Sequence, residues 1–164
     1  LEIWGKGDRA ERRARVEAML DAVGLDPEAV MQRKAGEFSG GQCQRLCIAR
    51  ALVLDPKVLI LDEPVSALDV SVQSQILNLL ADMRDRYDLT MLLIAHDLAV
   101  VRNSSDRVIV MYLGTICEVA PTGSLFDQPA HPYTAGLLAA VPKLSTDAGP
   151  SVAPSRRDRP GPGS

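Results

Sequence analysis

Long hydrophobic runs, an excess of positive charge and paired cysteines are all missing from this sequence. No stretch of about 18 uninterrupted apolar residues occurs, so no segment is predicted to span a bilayer unaided. The net charge is −3, which argues against a non-specific nucleic-acid binder. The 3 cysteines lack CxxC spacing and predict free thiols in a reducing compartment, with the cytosol as the default.

The composition that is present is that of one globular domain. The chain has 164 residues, of which 46% are apolar and 24% are charged. A chain of that length buries a single core, which excludes disorder throughout and a disulfide-dependent miniprotein. The chain begins at Leu1 and its first methionine is Met19, inside a helical pattern, so we expect a piece of a longer chain.

Hydrophobic periodicity predicts an α/β fold. Apolar residues recur at helical spacing over 9–23, 41–54 and 71–86, whereas Val58–Leu61 and Leu89–Ala95 are short continuous apolar runs. Strand, helix and strand at this spacing form a βαβ crossover, so we expect parallel core strands buried by helices on both faces.

The second half of the chain predicts a hairpin, a short helix and a tail. Arg107–Leu113 and Thr115–Ala120 flank Gly114 and predict two strands joined by a tight turn. A short helix is expected over Tyr133–Val141. Residues 142–164 hold five prolines and three glycines without an aromatic residue, so a flexible tail is predicted.

A candidate anion-binding seat precedes the second predicted helix. Ser39 offers a hydroxyl, Gly40 and Gly41 allow close approach of the backbone, and Gln42 follows at the helix start. The free N–H groups and partial positive charge of a helix N-terminus favour a phosphate. On these residues alone an ordinary helix cap after a turn remains the stronger interpretation.

Three polar residues follow the two core strands. Asp62 and Glu63 end the first strand and His96 follows the second, so parallel pairing would bring all three to one carboxyl edge, where α/β sheets bind ligands. A carboxylate there suits a hydrated Mg²⁺, and its neighbour suits general-base work. Solvated strand-exit residues are the alternative interpretation. A glycosidase pair is excluded because adjacent residues of an extended chain point to opposite sides.

Two of the cysteines lie one helical turn apart. Cys43 and Cys47 could bind a metal ion together, but two thiolates need further ligands. Buried thiols on an apolar helix face are therefore favoured.

The motifs FSGGQ, VLILDEP, SALD and HD, in this order and spacing, resemble those of the ATPase subunits of ABC transporters. Phe38 replaces the leucine that usually begins the signature motif. That variant and the HPYT motif at His131–Thr134 resemble the oligopeptide and dipeptide importer branch. The resemblance covers about residues 10–142 and implies the C-terminal part of a P-loop NTPase domain of the ABC type.

The resemblance assigns the seat and the SALD motif to a dimer interface. Ser39 and the Gly41 amide would bind the γ-phosphate of an ATP held mainly by a second subunit, with Gly40 in the same turn and Gln42 supporting the loop. Asp69 would order the interface between the two subunits.

The resemblance assigns the sheet edge to catalysis. Asp62 would hold Mg²⁺ through water, Glu63 would act as the general base, and His96 would sense the γ-phosphate.

The phosphate-cradling GxxxxGK[ST] loop and the glutamine loop of the family are absent from this sequence. Residues 1–141 are therefore expected to form a partial nucleotide-binding domain, with the family's C-terminal extension from about residue 121 and a tail over 142–164. The chain alone is expected to hydrolyse nothing and to be marginally stable.

The resemblance implies an ATP-hydrolysing subunit of an importer for oligopeptides, dipeptides or similar small solutes. Its cofactors would be ATP and Mg²⁺. Its partners would be a second ATPase subunit, identical or paralogous, two transmembrane permease subunits and, indirectly, a solute-binding protein, with no nucleic acid. It would lie peripherally at the cytoplasmic face of the cell (inner) membrane. The alternatives are a soluble ABC ATPase of translation or DNA repair, which the HPYT motif argues against, and a non-catalytic dimerisation module.

Overall fold

The chain alternates helices and strands, as expected for an α/β protein. The computed structural model describes residues 1–2, 5 and 7–140, so the predicted tail over 142–164 lies outside the described residues. In chain order the elements are α1 (Arg9–Ala22), α2 (Pro27–Met31), a 3₁₀ turn (Ala35–Glu37), α3 (Gly40–Leu52), β1 (Val58–Asp62), α4 (Val70–Tyr87), β2 (Thr90–Ile94), α5 (Leu98–Ser104), β3 (Arg107–Tyr112), β4 (Thr115–Pro121), α6 (Thr122–Asp127) and α7 (Pro132–Ala139).

The predicted βαβ crossover is confirmed. Strands β1 and β2 pair in parallel from Val58 opposite Thr90 to Asp62 opposite Ile94, and α4 connects them. The apolar stripe of α4 faces the sheet, as the helical spacing of its buried residues requires. The carboxyl ends of both strands therefore meet at one edge.

The hydrophobic core lies between three helices and one face of this sheet. Leu59 and Leu61 of β1 are buried against it, because alternate residues of a strand point to the same side. The helices α1, α3 and α4 supply most of the rest, through Met19, Leu20, Ile48, Ala49, Leu52, Ile76, Leu79, Leu80 and Met83.

The expectation of helices on both faces of the sheet needs correction for the described residues. Val58 and Ile60 are 57% and 63% exposed, and Leu92 and Ile94 of β2 are exposed beside them. These four side chains form the open sheet face. The continuous apolar runs are typical of strands buried on both faces of a sheet, whereas α3 and α4 cover only one face of this sheet.

The predicted hairpin is also confirmed. Strands β3 and β4 pair antiparallel, and Tyr112 opposes Thr115 across a two-residue loop. Leu113 and Gly114 both have positive φ, 48° and 79°, which is the geometry of a type I′ turn and matches the twist of the strands.

Three short helices were not predicted. The helices α2, α5 and α6 span only five to seven residues, too few for a periodic pattern to show. Two of them carry a readable start signal, since Asp26 and Asp97 accept hydrogen bonds from backbone N–H groups in the first turn. None of the helices among the described residues is both long and apolar enough to cross a membrane.

Candidate functional site

The glycine seat forms the first turn of α3. Ser39 is the N-cap, and its Oγ accepts a hydrogen bond from the Gln42 N–H at 3.3 Å. In turn, Oε1 of the Gln42 side chain accepts a hydrogen bond from the Ser39 N–H at 3.0 Å. This capping box uses the N–H of Gln42 and leaves those of Gly40 and Gly41, which point out of the helix start, for an anion.

The seat packs directly against the segment that leads into α4. A β-carbon added at Gly40 would lie 3.4 Å from Leu68 Cδ2, and one added at Gly41 would lie 2.7 Å from Val72 Cγ1. The second distance is shorter than carbon atoms tolerate. The absence of a side chain at Gly41 therefore lets α3 begin against α4.

Asp69 is the N-cap of α4. Its carboxylate accepts hydrogen bonds from the Val72 N–H and the Ser71 hydroxyl, each at 3.0 Å. The Val72 N–H, followed by the Ser71 hydroxyl, lowers the pKa of Asp69 below its ordinary value. The carboxylate is exposed and stays charged at neutral pH, beside the glycine seat.

Glu63 and His96 meet at the carboxyl edge of the parallel sheet. His96 Nδ1 lies 3.0 Å from Glu63 Oε1, although 33 residues separate them in sequence. The Glu63 N–H donates to the Ile94 carbonyl at 2.9 Å, extending the ladder by one residue past β1. Glu63 has a positive φ of 46°, which turns the chain sharply and aims its side chain toward His96.

A small pocket of about 90 Å³ opens beside this pair. Ser66 and Gln73 line it, and sequence reasoning did not single out either as a site residue. The signal was available for Ser66, because it belongs to the SALD motif, and its Oγ donates to the Glu63 carbonyl at 3.1 Å. Nothing in the pattern of α4 marks Gln73. The full lining is Glu63, Pro64, Val65, Ser66, Gln73, Ala95, His96, Asp97 and Val100.

Asp62 is the last residue of β1 and is exposed at the same edge. Its carboxylate is the hard oxygen ligand that Mg²⁺ prefers. Within residues 7–140 no three histidine, cysteine or acidic side chains converge as a metal-binding group. A single carboxylate such as that of Asp62 nevertheless fits Mg²⁺, which is commonly held by one or two carboxylates with waters and substrate phosphates.

The structure forms two separate groups from the predicted site residues. Ser39 and Gln42 cap each other, and Glu63 contacts His96. No hydrogen bond or ion pair links the two groups in the part of the chain that is described.

The cysteine prediction was wrong in one respect. Cys43 and Cys47 are both exposed rather than buried, because the core face of α3 is formed by Ile48, Ala49 and Leu52. They have no third ligand, since no metal-binding group occurs in the described ranges.

The HPYT motif is fastened to β4 by one carboxylate. Glu118 accepts hydrogen bonds from the backbone N–H groups of Ala130 at 2.9 Å and His131 at 3.1 Å. The buried Thr134 hydroxyl makes no hydrogen bond of ordinary geometry, yet it lies near enough to be the largest cause of the lowered pKa of Glu118, ahead of those N–H groups. Tyr133 packs against Tyr112 of β3, with ring centroids 4.4 Å apart and ring planes tilted by 39°.

Comparisons with known families match both ends of the chain. The model described as "ABC transporter" matches residues 2–66. The model described as "Oligopeptide/dipeptide transporter, C-terminal region" matches residues 117–162. The oligopeptide transport ATP-binding protein OppF of Escherichia coli is 54% identical over 137 residues, which are 84% of this chain and 41% of that protein. The chain thus spans less than half the length of this curated relative.

Solved structures agree on the fold. An ATP-binding cassette of an ABC transporter in its ADP conformation aligns with a TM-score of 0.68 at 26% identity, over 82% of this chain and 52% of that one. The cbiO1 protein from Clostridium perfringens, part of the ABC transporter complex cbiONQ, aligns at 0.67 and 34% identity, over 75% and 48%. The α/β fold, the motif order and these matches agree: the chain is similar to ATP-binding proteins of ABC transporters, and its C-terminal part is similar to the C-terminal region of oligopeptide/dipeptide transporters.

Proposed function

We propose that this chain contributes to an ATP-binding and ATP-hydrolysing subunit of an importer for oligopeptides, dipeptides or similar small solutes. The contact between Glu63 and His96 at the carboxyl edge of the parallel sheet carries the proposal, since it pairs a base with a group that orients it. The C-terminal region of the importer branch supports the solute class.

Glu63 would take the proton of the attacking water. The water would sit in the pocket beside Glu63, and His96 would hold the carboxylate through Nδ1 and leave Nε2 facing the γ-phosphate. Asp62 would hold Mg²⁺ through water ligands. Bound Mg²⁺ would supply charge neutralisation at the phosphates.

The glycine seat would serve a second subunit. Ser39 and the N–H groups of Gly40 and Gly41 would bind the γ-phosphate of an ATP held mainly by the neighbour, with Gln42 holding the turn. Asp69, next to the seat, would lie at the interface between the two subunits. No hydrogen bond or ion pair joins the seat to Glu63 in the described residues, which agrees with this arrangement.

The assembly would lie peripherally at the cytoplasmic face of the cell (inner) membrane. Its partners would be a second ATPase subunit, two transmembrane permease subunits and, indirectly, a solute-binding protein. The chain lacks GxxxxGK[ST], so a subunit that joins it to such a loop would be the active form, and the chain alone would hydrolyse no ATP. Residues 1–141 would be its share of the nucleotide-binding domain.

The substitution Glu63→Gln in a subunit that carries the phosphate loop tests the general base. We expect turnover to fall about 10²- to 10⁴-fold because the proton acceptor is lost, while ATP binding is unchanged. Steady-state phosphate release and equilibrium ATP binding are the measurements.

The matched control is Glu17→Gln, which changes a half-buried helix carboxylate paired with Arg13 and should leave turnover unaltered. Turnover that persists in Glu63→Gln would show that another group accepts the proton. Failure to co-purify with permease subunits from a membrane extract would remove the transport part of the proposal.

A further inference from the structure

The start of α3 touches the start of α4 more closely than any side chain at the contact would allow. Gly41 lies in the first turn of α3 and has an ordinary helical backbone, with no positive φ. Alanine adopts that backbone readily and is favoured over glycine within helices. The obstacle to a side chain at position 41 within this chain is therefore its neighbour and not its backbone conformation.

That neighbour is Val72. A β-carbon at position 41 would lie 2.7 Å from Val72 Cγ1, a distance at which one of the two must move. Val72 is β-branched and held in one preferred rotamer within a helix, and it packs against the core. It cannot turn aside as a long flexible side chain would, so α3 and α4 must shift relative to each other.

Val72 is tied to Asp69 by hydrogen bonds. The Val72 N–H donates to Asp69 Oδ1 at 3.0 Å, and the Gln73 N–H donates to the Asp69 carbonyl at 2.8 Å. A shift of Val72 is therefore passed to the cap residue. Gln73 also lines the pocket beside Glu63, so the same turn of α4 reaches both parts of the site.

We propose that the contact between Gly41 and Val72 fixes the glycine seat relative to Asp69, and that Val72 is a positioning residue for the site. It touches neither nucleotide nor metal. Its effect on ATP hydrolysis rests on the function proposed above, whereas its effect on the geometry of α3 and α4 does not.

The first experiment is a double-mutant cycle on stability in this chain. Gly41→Ala is expected to lower Tm by roughly 3 to 10 °C through overpacking. Adding Val72→Ala removes the colliding methyl group, so the double variant should unfold no lower than Val72→Ala alone. Gly40→Ala is the matched control, since its β-carbon would meet Leu68 Cδ2 at an ordinary 3.4 Å. A Tm for Gly41→Ala at or above that of the unmodified chain would overturn the proposal.

The second readout reports directly on the hydrogen bonds of the Asp69 cap. Amide hydrogen exchange of Val72 and Gln73 should accelerate in Gly41→Ala and return toward normal in the double variant, because the Asp69 cap re-forms. Unchanged exchange in Gly41→Ala would show that the contact does not reach Asp69, and the proposal would fail.

The third readout is ATP hydrolysis by a subunit that carries the phosphate loop. Gly41→Ala should lower kcat by about tenfold or more, and Val72→Ala in the same chain should recover most of that loss. Recovery of Tm without recovery of kcat would mean that Val72 does not position the seat, and it would overturn the proposal. An unmodified subunit that hydrolyses no ATP would instead refute the proposed function, while the stability cycle would still decide the contact.

Discussion

Glu63 adopts a backbone conformation that glutamate rarely takes. Its φ of 46° follows immediately on the extended residues of β1, and the Ser66 hydroxyl and the Ile94 carbonyl hold it there by hydrogen bonds to its backbone. Such strain persists where the surrounding structure fixes it, and it concentrates at functional sites. Here the turn brings the Glu63 carboxylate to His96.

The sequence indicated which residues would meet at this edge but not how. Asp62, Glu63 and His96 follow parallel strands, so their proximity could be predicted from strand order alone. The left-handed turn at Glu63 could not, because no glycine or asparagine marks it. The packing of Gly41 on Val72 was equally hidden, since α3 and α4 are linked through tertiary contact rather than by local pattern.

Asp97 holds the start of α5 directly after His96. Its carboxylate accepts hydrogen bonds from the Ala99 N–H at 2.8 Å and the Val100 N–H at 3.3 Å. We expect Asp97→Ala to lower the free energy of unfolding by about 1 kcal/mol, as loss of a helix cap does. Urea unfolding measures the change.

Asp97→Asn is the control, because asparagine caps a helix nearly as well as aspartate. It should remain close to the unmodified chain. Equal destabilisation by alanine and asparagine would show that the negative charge, rather than the cap, stabilises this segment.

At the scale of elements, the long periodic helices, the strands and the short helix α7 after His131 were predictable, whereas three shorter helices were not. The helices α1, α3 and α4 and the strands β1 to β4 follow apolar patterns that span several turns or a complete run. In contrast, α2, α5 and α6 are too short to show a period, and only the caps at Asp26 and Asp97 mark two of them.

The attachment of α7 to β4 is predicted to depend on pH. The pKa of Glu118 is lowered in the folded chain by the Thr134 hydroxyl and by the backbone N–H groups of Ala130 and His131. A lowered folded pKa stabilises the fold above the ordinary glutamate pKa, and this contribution is lost as the pH falls through the folded value. The hydrogen bonds from Ala130 and His131 to Glu118 should therefore persist at neutral pH and break in acid, when Glu118 is protonated.

The measurement is an NMR titration of the Ala130 and His131 amide protons. Their shifts should follow one midpoint below the ordinary glutamate value, and Glu118→Gln should abolish that titration. A midpoint at or above the ordinary value would contradict the assigned hydrogen bonds.

At the scale of the whole molecule, we expect the open sheet face to govern association in solution. Val58, Ile60, Leu92 and Ile94 form a contiguous apolar surface on a two-stranded sheet whose edges are unpaired in the described residues. Exposed apolar faces and free strand edges promote association. The apolar runs that predicted the strands could not reveal this exposure. A continuous apolar run has the same sequence pattern whether helices cover one face of the sheet or both.

We predict that Ile60→Lys reduces self-association of the chain, since it places a charge at the centre of the open sheet face. Light scattering and binding of an apolar dye should both decrease. Asn78→Lys adds the same charge at an exposed position of α4 and should change neither. A decrease in both variants alike would indicate that net charge alone governs solubility.

The register of β1 against β2 links folding to chemistry. Leu59 and Leu61 reach the core only while Val58 stands opposite Thr90. A slip by one residue would expose these leucines and displace Glu63 along the strand direction by about 3.3 Å relative to His96. Burial of Leu59 and Leu61 thus selects the register that functions. A molecule whose core has formed with these leucines inside has also placed the Glu63 carboxylate beside the His96 imidazole.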